Sequence, residues 1–180
     1  VTNEEILIQN LKNPTTQERA FIELMGLYKE RLYWHIRRIV LNHDDADDVL
    51  QNTFIKVYRN IDSFKEESKL YSWMYRIATN ESITFINKRA KENHLDVTDF
   101  QEKMAKNLSH DPLFEGDEIQ LVLQRAIATL PQKQQLVFRM KYFDEMKYTD
   151  MATILETSVG ALKASYFHAV KKIEEIISSH

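Results

Sequence analysis

Apolar positions along this chain recur every three or four residues, the spacing of a helix that buries one face. Residues 4–40 show it first: Ile6, Ile8 and Leu11, then Phe21, Leu24, Met25, Leu27, Tyr28, Leu32 and Ile36. Pro14, Thr15 and Thr16 mark a break inside that stretch. Asn42-His43-Asp44-Asp45 reads as a helix start, with short acceptor side chains and carboxylates at the positive end of the helix dipole. The helix that follows runs to about Ile61 and buries Val49, Leu50, Thr53, Phe54 and Val57. A polar loop, residues 62–68, separates it from another long helix predicted over residues 70–91.

The periodicity then fades. Residues 92–116 are polar and acidic and close with Asp111-Pro112 and Gly116, which predicts a flexible linker carrying at most one short helix. A second compact unit starts near Asp117. Ile119, Leu121, Val122, Leu123, Ile127 and Leu130 predict its first helix, and Pro131 suits the first turn of the next, which carries Leu136, Val137 and Met140. A short helix over 148–155, a turn at Glu156-Thr157-Ser158 and a long helix over 159–177 complete a helix-turn-helix. In the long helix Val159, Leu162, Tyr166, Val170, Ile173 and Ile177 form one apolar stripe. The expected architecture is all-α, with two small helical domains, residues 1–92 and 117–180, joined by an acidic linker, residues 93–116.

Composition agrees with long helices and few turns: the 180 residues include three glycines and three prolines. Cysteine is absent, which excludes disulfides, thiolate catalysis and Cys-ligated zinc, and fits a cytoplasmic protein. No apolar run is long enough to span a bilayer, and the opening Val-Thr-Asn-Glu-Glu is unlike a signal peptide. A net charge of −3 argues against nucleic-acid binding until its distribution is considered. Residues 96–118 hold seven acidic side chains against two lysines, whereas residues 125–172 hold eight Lys/Arg against four Asp/Glu. A basic module therefore follows an acidic tether.

Candidate chemistry lies on three helical faces. Opposite the apolar stripe of 159–177 stand Ala161, Lys163, Ala164, Ser165, Phe167, His168, Lys171 and Lys172. Ser158 is placed to cap this helix, whose free N–H groups suit a DNA phosphate, and the small residues let its backbone sit deep in a major groove. An ordinary amphipathic hairpin with a solvated basic face has the same spacing. In the helix over 70–91, Arg76, Asn80, Ile83 and Asn87 align on one ridge beside Trp73, closed by Lys88, Arg89 and Lys91. Rings that stack on bases, amides that read edges and cations that hold phosphates suit single-stranded nucleic acid. Trp73, Met74, Ile77 and Phe85 also suit a core, and Glu81 falls near that apolar side. The polar side of the preceding helix offers Asp47, Asp48, Gln51, Asn52, Lys56 and Asn60, a solvated face on charge pattern alone.

In this order and spacing, the segments 44–58 (DDADDVLQNTFIKVY) and 70–80 (LYSWMYRIATN), with Leu130-Pro131 and Val159-Gly160-Ala161-Leu162-Lys163, resemble the sigma-70 superfamily, specifically its extracytoplasmic-function (ECF) group. The resemblance implies an initiation factor that gives bacterial core RNA polymerase its promoter specificity. Asp47, Asp48, Gln51, Asn52, Lys56 and Asn60 look like the surface that docks on the polymerase. Ser72, Trp73, Arg76, Asn80, Asn87, Lys88 and Arg89 look like the element that melts and captures the −10 strand. The loop 63–69 resembles one that pockets a flipped-out base. Ser158, Ala161, Lys163, Ala164, Ser165, Phe167, His168, Lys171 and Lys172 look like the reader of duplex −35 DNA. The linker would run near the RNA exit path, and an inhibitory anti-sigma partner is implied. The chain departs from the family at Glu81, where many members are apolar, and near Ser165, His168 and Val170, where many carry arginines. This reading calls for no catalytic residue, cofactor, metal or membrane insertion.

Two other classes share some of these features. His43-Asp44 and His110-Asp111 with scattered carboxylates would suit a metal-dependent helical phosphohydrolase, although a metal needs several ligands converging. No Gly-rich phosphate loop, nucleophile elbow or usable Ser-His-Asp arrangement accompanies them. A stand-alone helix-turn-helix regulator would bind duplex DNA as a dimer, but no dimer seam is evident and the aromatic-basic helix would have no task.

Overall fold

The computed structural model describes residues 1–111 and 116–179, and every regular element among them is helical. Pro112 of the expected linker and His180, the expected end of the second unit, lie outside the described residues.

Local chemistry sets the helix ends. Helix α1 (Asn3–Lys12) begins with a reciprocal cap, the Glu5 N–H donating to Thr2 Oγ1 at 3.1 Å and the Thr2 N–H to Glu5 Oε2 at 2.9 Å. A turn at Asn13–Thr16, where Asn13 Oδ1 accepts from the Thr15 N–H, leads into α2 (Gln17–Val40). That helix stops at Leu41, which takes a left-handed φ of 60° and donates its N–H to the Arg37 carbonyl. Asn42 caps α3 (His43–Asn60) by accepting from the Asp45 N–H at 3.0 Å, the start expected from its sequence. A 3-10 turn, Ile61–Ser63, and an irregular loop precede α4 (Leu70–Glu92).

The expected linker contains a structured segment. Asp96 caps α5 (Val97–Lys106), which buries Phe100, Gln101 and Ala105 against α4 and against α6 (Glu118–Ala128). Pro131 sits immediately before α7 (Gln132–Tyr142), where its missing N–H costs nothing. Helix α8 (Tyr148–Leu155) ends at Glu156 with φ 53°, and Ser158 then caps α9 (Val159–Ser178) by accepting from the Ala161 N–H at 3.1 Å. This is the predicted helix-turn-helix.

Packing joins the two halves. Leu7, Leu11, Leu24, Val57, Leu70 and Met74 form a cluster among α1 to α4. Leu123, Ile127, Leu130, Phe138, Ala169 and Ile173 form another among α6, α7 and α9. The cluster between them draws on both halves: Leu32, Ile36, Val49, Tyr75 and Ala78 from the first, and Leu136, Met140, Met151, Ile154 and Leu162 from the second. Helix α4 packs on α8, and α2 touches α7. Met140 and Met151 are fully buried there, so truncating either to alanine is expected to cost about 2–5 kcal/mol.

Some residues counted in the apolar pattern face solvent instead. Ile6, Leu27, Ile119 and Ile177 are 46%, 58%, 69% and 40% exposed. Ile6 and Ile119 lie in the first turns of α1 and α6, and Ile177 lies in the last turn of α9, near helix ends. Leu27 sits on the outer side of α2, away from its buried neighbours Leu24 and Leu32.

Candidate functional site

The first surface is the outer side of α3. Asp47, Asp48, Gln51, Asn52, Lys56 and Asn60 are all exposed there. Asp47 lies 3.3 Å from His43 Nε2, and the Asn60 amide donates to the Lys56 carbonyl at 2.8 Å. Lys56 also forms an ion pair with Glu81 of α4, so the carboxylate that the sequence left unexplained has its cation on the neighbouring helix. Beside this face α2 and α3 enclose an open groove of about 800 Å³ with a floor of Phe21, Met25, Leu50, Phe54, Ile55 and Tyr58. Phe21 meets Phe54 and Tyr58 edge-on, with centroids 6.1 and 5.0 Å apart, which fixes the aromatic floor. Lys29, Arg59, Asp47 and Gln51 rim it. Sequence reasoning singled out Asp47 and Gln51 of the rim and missed Lys29, Arg59 and the groove itself, because its floor is made where two helices meet.

The second surface is the ridge of α4. Arg76, Asn80, Asn87, Lys88 and Arg89 are exposed, and Trp73 is half-buried with its ring 5.1 Å from that of Phe64. Phe64 is itself buried, anchoring the loop 63–69 beneath Trp73. Ser72 differs from its neighbours: at 2% exposure it packs inside and presents nothing to a ligand. At the far end Arg89 stacks on Phe85 and reaches Asp45 at 3.3 Å, while burial pushes the Asp45 carboxyl above its ordinary range against the pull of Arg89. The middle of the ridge faces the second half of the molecule. Arg76 and Asn80 look across a cleft of about 430 Å³ at Gln132, Lys133, Leu155 and Glu156. Arg76 pairs with Glu156, and Lys69 lies 3.3 Å from Asp150. Tyr71 donates its hydroxyl to Asp150; burial first, then that carboxylate, pushes the Tyr71 hydroxyl up to about 12, so it remains a donor at neutral pH.

The third surface is α9. Ala161, Lys163, Ala164, Phe167, His168, Lys171 and Lys172 are exposed and Ser165 is half-buried, on the side opposite buried Leu162, Ala169 and Ile173. Ser158 spends its hydroxyl on the cap. Lys163 and Lys141 both approach the ring of Tyr148, at 5.8 and 4.3 Å, so cationic character extends from α9 onto the start of α8. Among the described residues none of Lys141, Lys163, Lys171 and Lys172 is in an ion pair. Lys141 and Tyr148 were not singled out from the sequence; they approach Lys163 only through the packing of the hairpin.

Comparison with known proteins bears directly on these surfaces. The family model for Sigma-70 region 2 matches residues 24–92, which include α3 and α4, and that for Sigma-70 region 4 matches residues 120–173, which include the helix-turn-helix. The ECF RNA polymerase sigma factor SigW of Bacillus subtilis (strain 168) is 32% identical over 152 residues, 80% of this chain and 81% of that protein. The chain is an ECF sigma factor. It is also 27% identical over 179 residues to the ECF RNA polymerase sigma-E factor of Escherichia coli (strain K12), covering 95% of this chain and 92% of that one. The fold is shared with CnrH, solved in complex with the cytosolic domain of CnrY, at a TM-score of 0.71 and 20% identity over 98% of this chain and 97% of CnrH. It is shared as well with the sigma factor RpoE of Bartonella quintana, solved with the anti-sigma factor NepR, at a TM-score of 0.67 and 21% identity over 88% and 96% of the two chains.

As a member of that family, this sigma factor binds bacterial core RNA polymerase and directs promoter-specific initiation of transcription. The fold also brings together residues that suggested other chemistry. His43, Asp44, His110 and Asp111 line one cleft of about 440 Å³. His43 is engaged by Tyr33 and Asp47, Asp111 is paired with Arg37, and no three such ligands among the described residues converge as a metal site. A threonine, a histidine and an aspartate do fall in line: His35 Nδ1 donates to Asp144 at 3.1 Å, and its Nε2 lies 2.8 Å from the Thr79 hydroxyl. Both His35 and Thr79 are 1% exposed, so no substrate reaches the row. It ties α2 and α4 to the turn after α7. Among the described residues no helix is long and apolar enough to cross a membrane.

Proposed function

We propose that promoter recognition in this sigma factor is divided among its three surfaces. Residues 1–92 form the polymerase-docking and −10 unit, 93–116 the linker and 117–180 the −35 unit. The α3 face of Asp47, Asp48, Gln51, Asn52, Lys56 and Asn60 docks on the polymerase, with the apolar groove beside it supplying most of the buried area. The α4 ridge captures the unpaired −10 strand, Trp73 stacking on a base while Arg76, Asn80, Asn87, Lys88 and Arg89 hold its edges and phosphates. Ser72 supports that ridge from within. Helix α9 enters the major groove at −35, its small residues giving depth while Lys163, Lys171 and Lys172 position it on the backbone. Tyr148 and Lys141 extend that phosphate-facing edge.

The observation that carries this reading is the bare α9 face, whose lysines are in no ion pair among the described residues, on a helix whose first turn is capped by Ser158. The protein works in the cytoplasm as a specificity subunit: the polymerase performs the chemistry. Binding energy to the captured strand offsets the cost of unstacking a few base pairs. An anti-sigma partner fits the same reading, since RpoE was solved with the anti-sigma factor NepR bound and CnrH with the cytosolic domain of CnrY.

The test is gel filtration of the purified chain with bacterial core RNA polymerase, followed by promoter selection from genomic fragments. Co-elution is expected, and Asp48→Ala with Asn52→Ala is expected to weaken it about tenfold by removing polar contacts at the interface. A folded chain that does not co-elute with its cognate core, yet binds duplex DNA alone, would favour the stand-alone regulator. Unchanged affinity in the double variant would remove the docking role from α3.

A further inference from the structure

The second half of the molecule is basic, yet residues 125–172 contain four carboxylates: Asp144, Glu145, Asp150 and Glu156. Three of them, Asp144, Asp150 and Glu156, follow at intervals of six residues, and each is spent on a donor of the first half. Asp144 accepts from Arg38 at 2.6 Å and from His35; Asp150 accepts from Tyr71 and lies against Lys69; Glu156 pairs with Arg76. All the acceptors lie on one side of the interface and all the donors on the other. A random set of surface pairs on a basic module has no reason to be so sorted.

The last two pairs fall on α4 and its approach, where strand capture is assigned. Carboxylate and phosphate oxygens ask the same of a guanidinium, an ammonium or a phenol: a charge-assisted hydrogen bond to a negative acceptor. We propose that Asp150 and Glu156 act as an intramolecular stand-in for the phosphates of single-stranded nucleic acid, occupying Lys69, Tyr71 and Arg76 while the two halves are together. This rests on reading α4 as the strand-capturing element. The seat at Lys69, Tyr71 and Arg76 is filled by the protein's own acidic edge, so the free chain does not spend this end of α4 on stray single strands. Parting of the halves on the polymerase uncovers it. The lock is graded. Asp144 and Asp150 have side chains 8% and 12% exposed, whereas Arg76 and Glu156 are 47% and 61% exposed and form the pair a competing anion displaces first.

The chain has no cysteine, so Glu92→Cys and Ser178→Cys give two unique label sites, one at the end of each long helix. In the full-length chain, Asp150→Asn with Glu156→Gln is compared with Glu118→Gln with Glu174→Gln, which removes the same charge at exposed sites off the interface. The probe is a fluorescent, mixed-sequence DNA single strand of roughly 20 nucleotides, longer than one binding site. The interface variant is expected to bind it about fivefold more tightly than the control, with longer label separation, because two weak ion pairs no longer oppose opening. Arg76→Ala in that background is expected to remove most of the gain. Glu156→Gln alone, at an exposed site that does not threaten folding, is expected to give about a twofold gain. Affinity and label separation equal to the control's would overturn the proposal, and a promoter-melting defect in a Trp73→Ala holoenzyme would show that the role of α4 survives it. Opening without any gain in strand binding would overturn the proposal and the role of α4 together.

Discussion

Helices α4 and α9 are both assigned to DNA, and the fold treats them in opposite ways. Helix α9 buries one stripe and leaves its other side bare along its length. Helix α4 is packed by α2, α3, α5 and α8, and the middle of its ridge faces the other half of the molecule. The proposed duplex reader is open along its length, whereas the proposed strand reader has the middle of its ridge engaged by the other half through Arg76 and Tyr71. That difference matches the order in which promoter DNA offers its two forms: duplex is present from the start, and an unpaired strand exists only after melting. A bare strand-binding ridge would meet competing RNA and single-stranded DNA throughout the cell.

Four experiments test this contrast, in descending size of effect. Trp73→Ala removes a stacking surface worth ~1–3 kcal/mol per base, so promoter opening by the holoenzyme is expected to fall on the order of tenfold or more, measured by permanganate reactivity, with polymerase affinity unchanged. Normal opening would leave α4 as packing alone. Freeing the ridge with Asp150→Asn and Glu156→Gln is expected to act several-fold on the free chain and little on the holoenzyme, where the proposal has the halves parted. Lys171→Gln or Lys172→Gln is expected to weaken −35 duplex binding a few-fold for every sequence alike and to lower the slope of log affinity against log salt by about one. A change in sequence preference instead would move these lysines from phosphate to base contacts. The smallest effect is expected at Gly26, inside α2, where a Cβ meets nothing within 4 Å. Gly26→Ala is expected to stabilise the chain by about 0.5–1 kcal/mol, read as a melting-temperature rise of ~1–4 °C, and to leave both DNA surfaces alone.

The same contrast governs what was legible in the sequence. Helix α9 packs one side and shows a clean stripe, so buried Leu162 and Ile173, its cap at Ser158 and its open face could be read directly, while buried Ala169 was not singled out and Ile177 is exposed. The break at residues 13–16 and the α3 start at Asn42 were equally local. Helix α4 buries residues toward four neighbours, among them the polar Ser72, Thr79 and Ser82, which blurs its period and put Ser72 among the expected contacts. Periodicity says which side of a helix is buried but not against what. The groove floor joins Phe21 and Met25 to Leu50, Phe54 and Tyr58 across two helices, and the Lys56–Glu81 pair crosses from one helix to the next. The partners that close the halves are farther apart still, 79 residues for Tyr71 and Asp150 and 109 for His35 and Asp144. No local pattern encodes such pairings. The short helix allowed for in the linker is α5, but its packing was not legible: only part of it is buried, so acidic composition outweighed Phe100 and Ala105, with Leu108 just beyond.

The 109-residue separation of His35 from Asp144 also has a meaning in time. A ribosome adds roughly 5–20 residues per second, so about 5–20 seconds pass between synthesis of the two partners. Helix α4 is complete before α8 exists. Each new molecule therefore carries α4 before the acidic edge that faces it has been made.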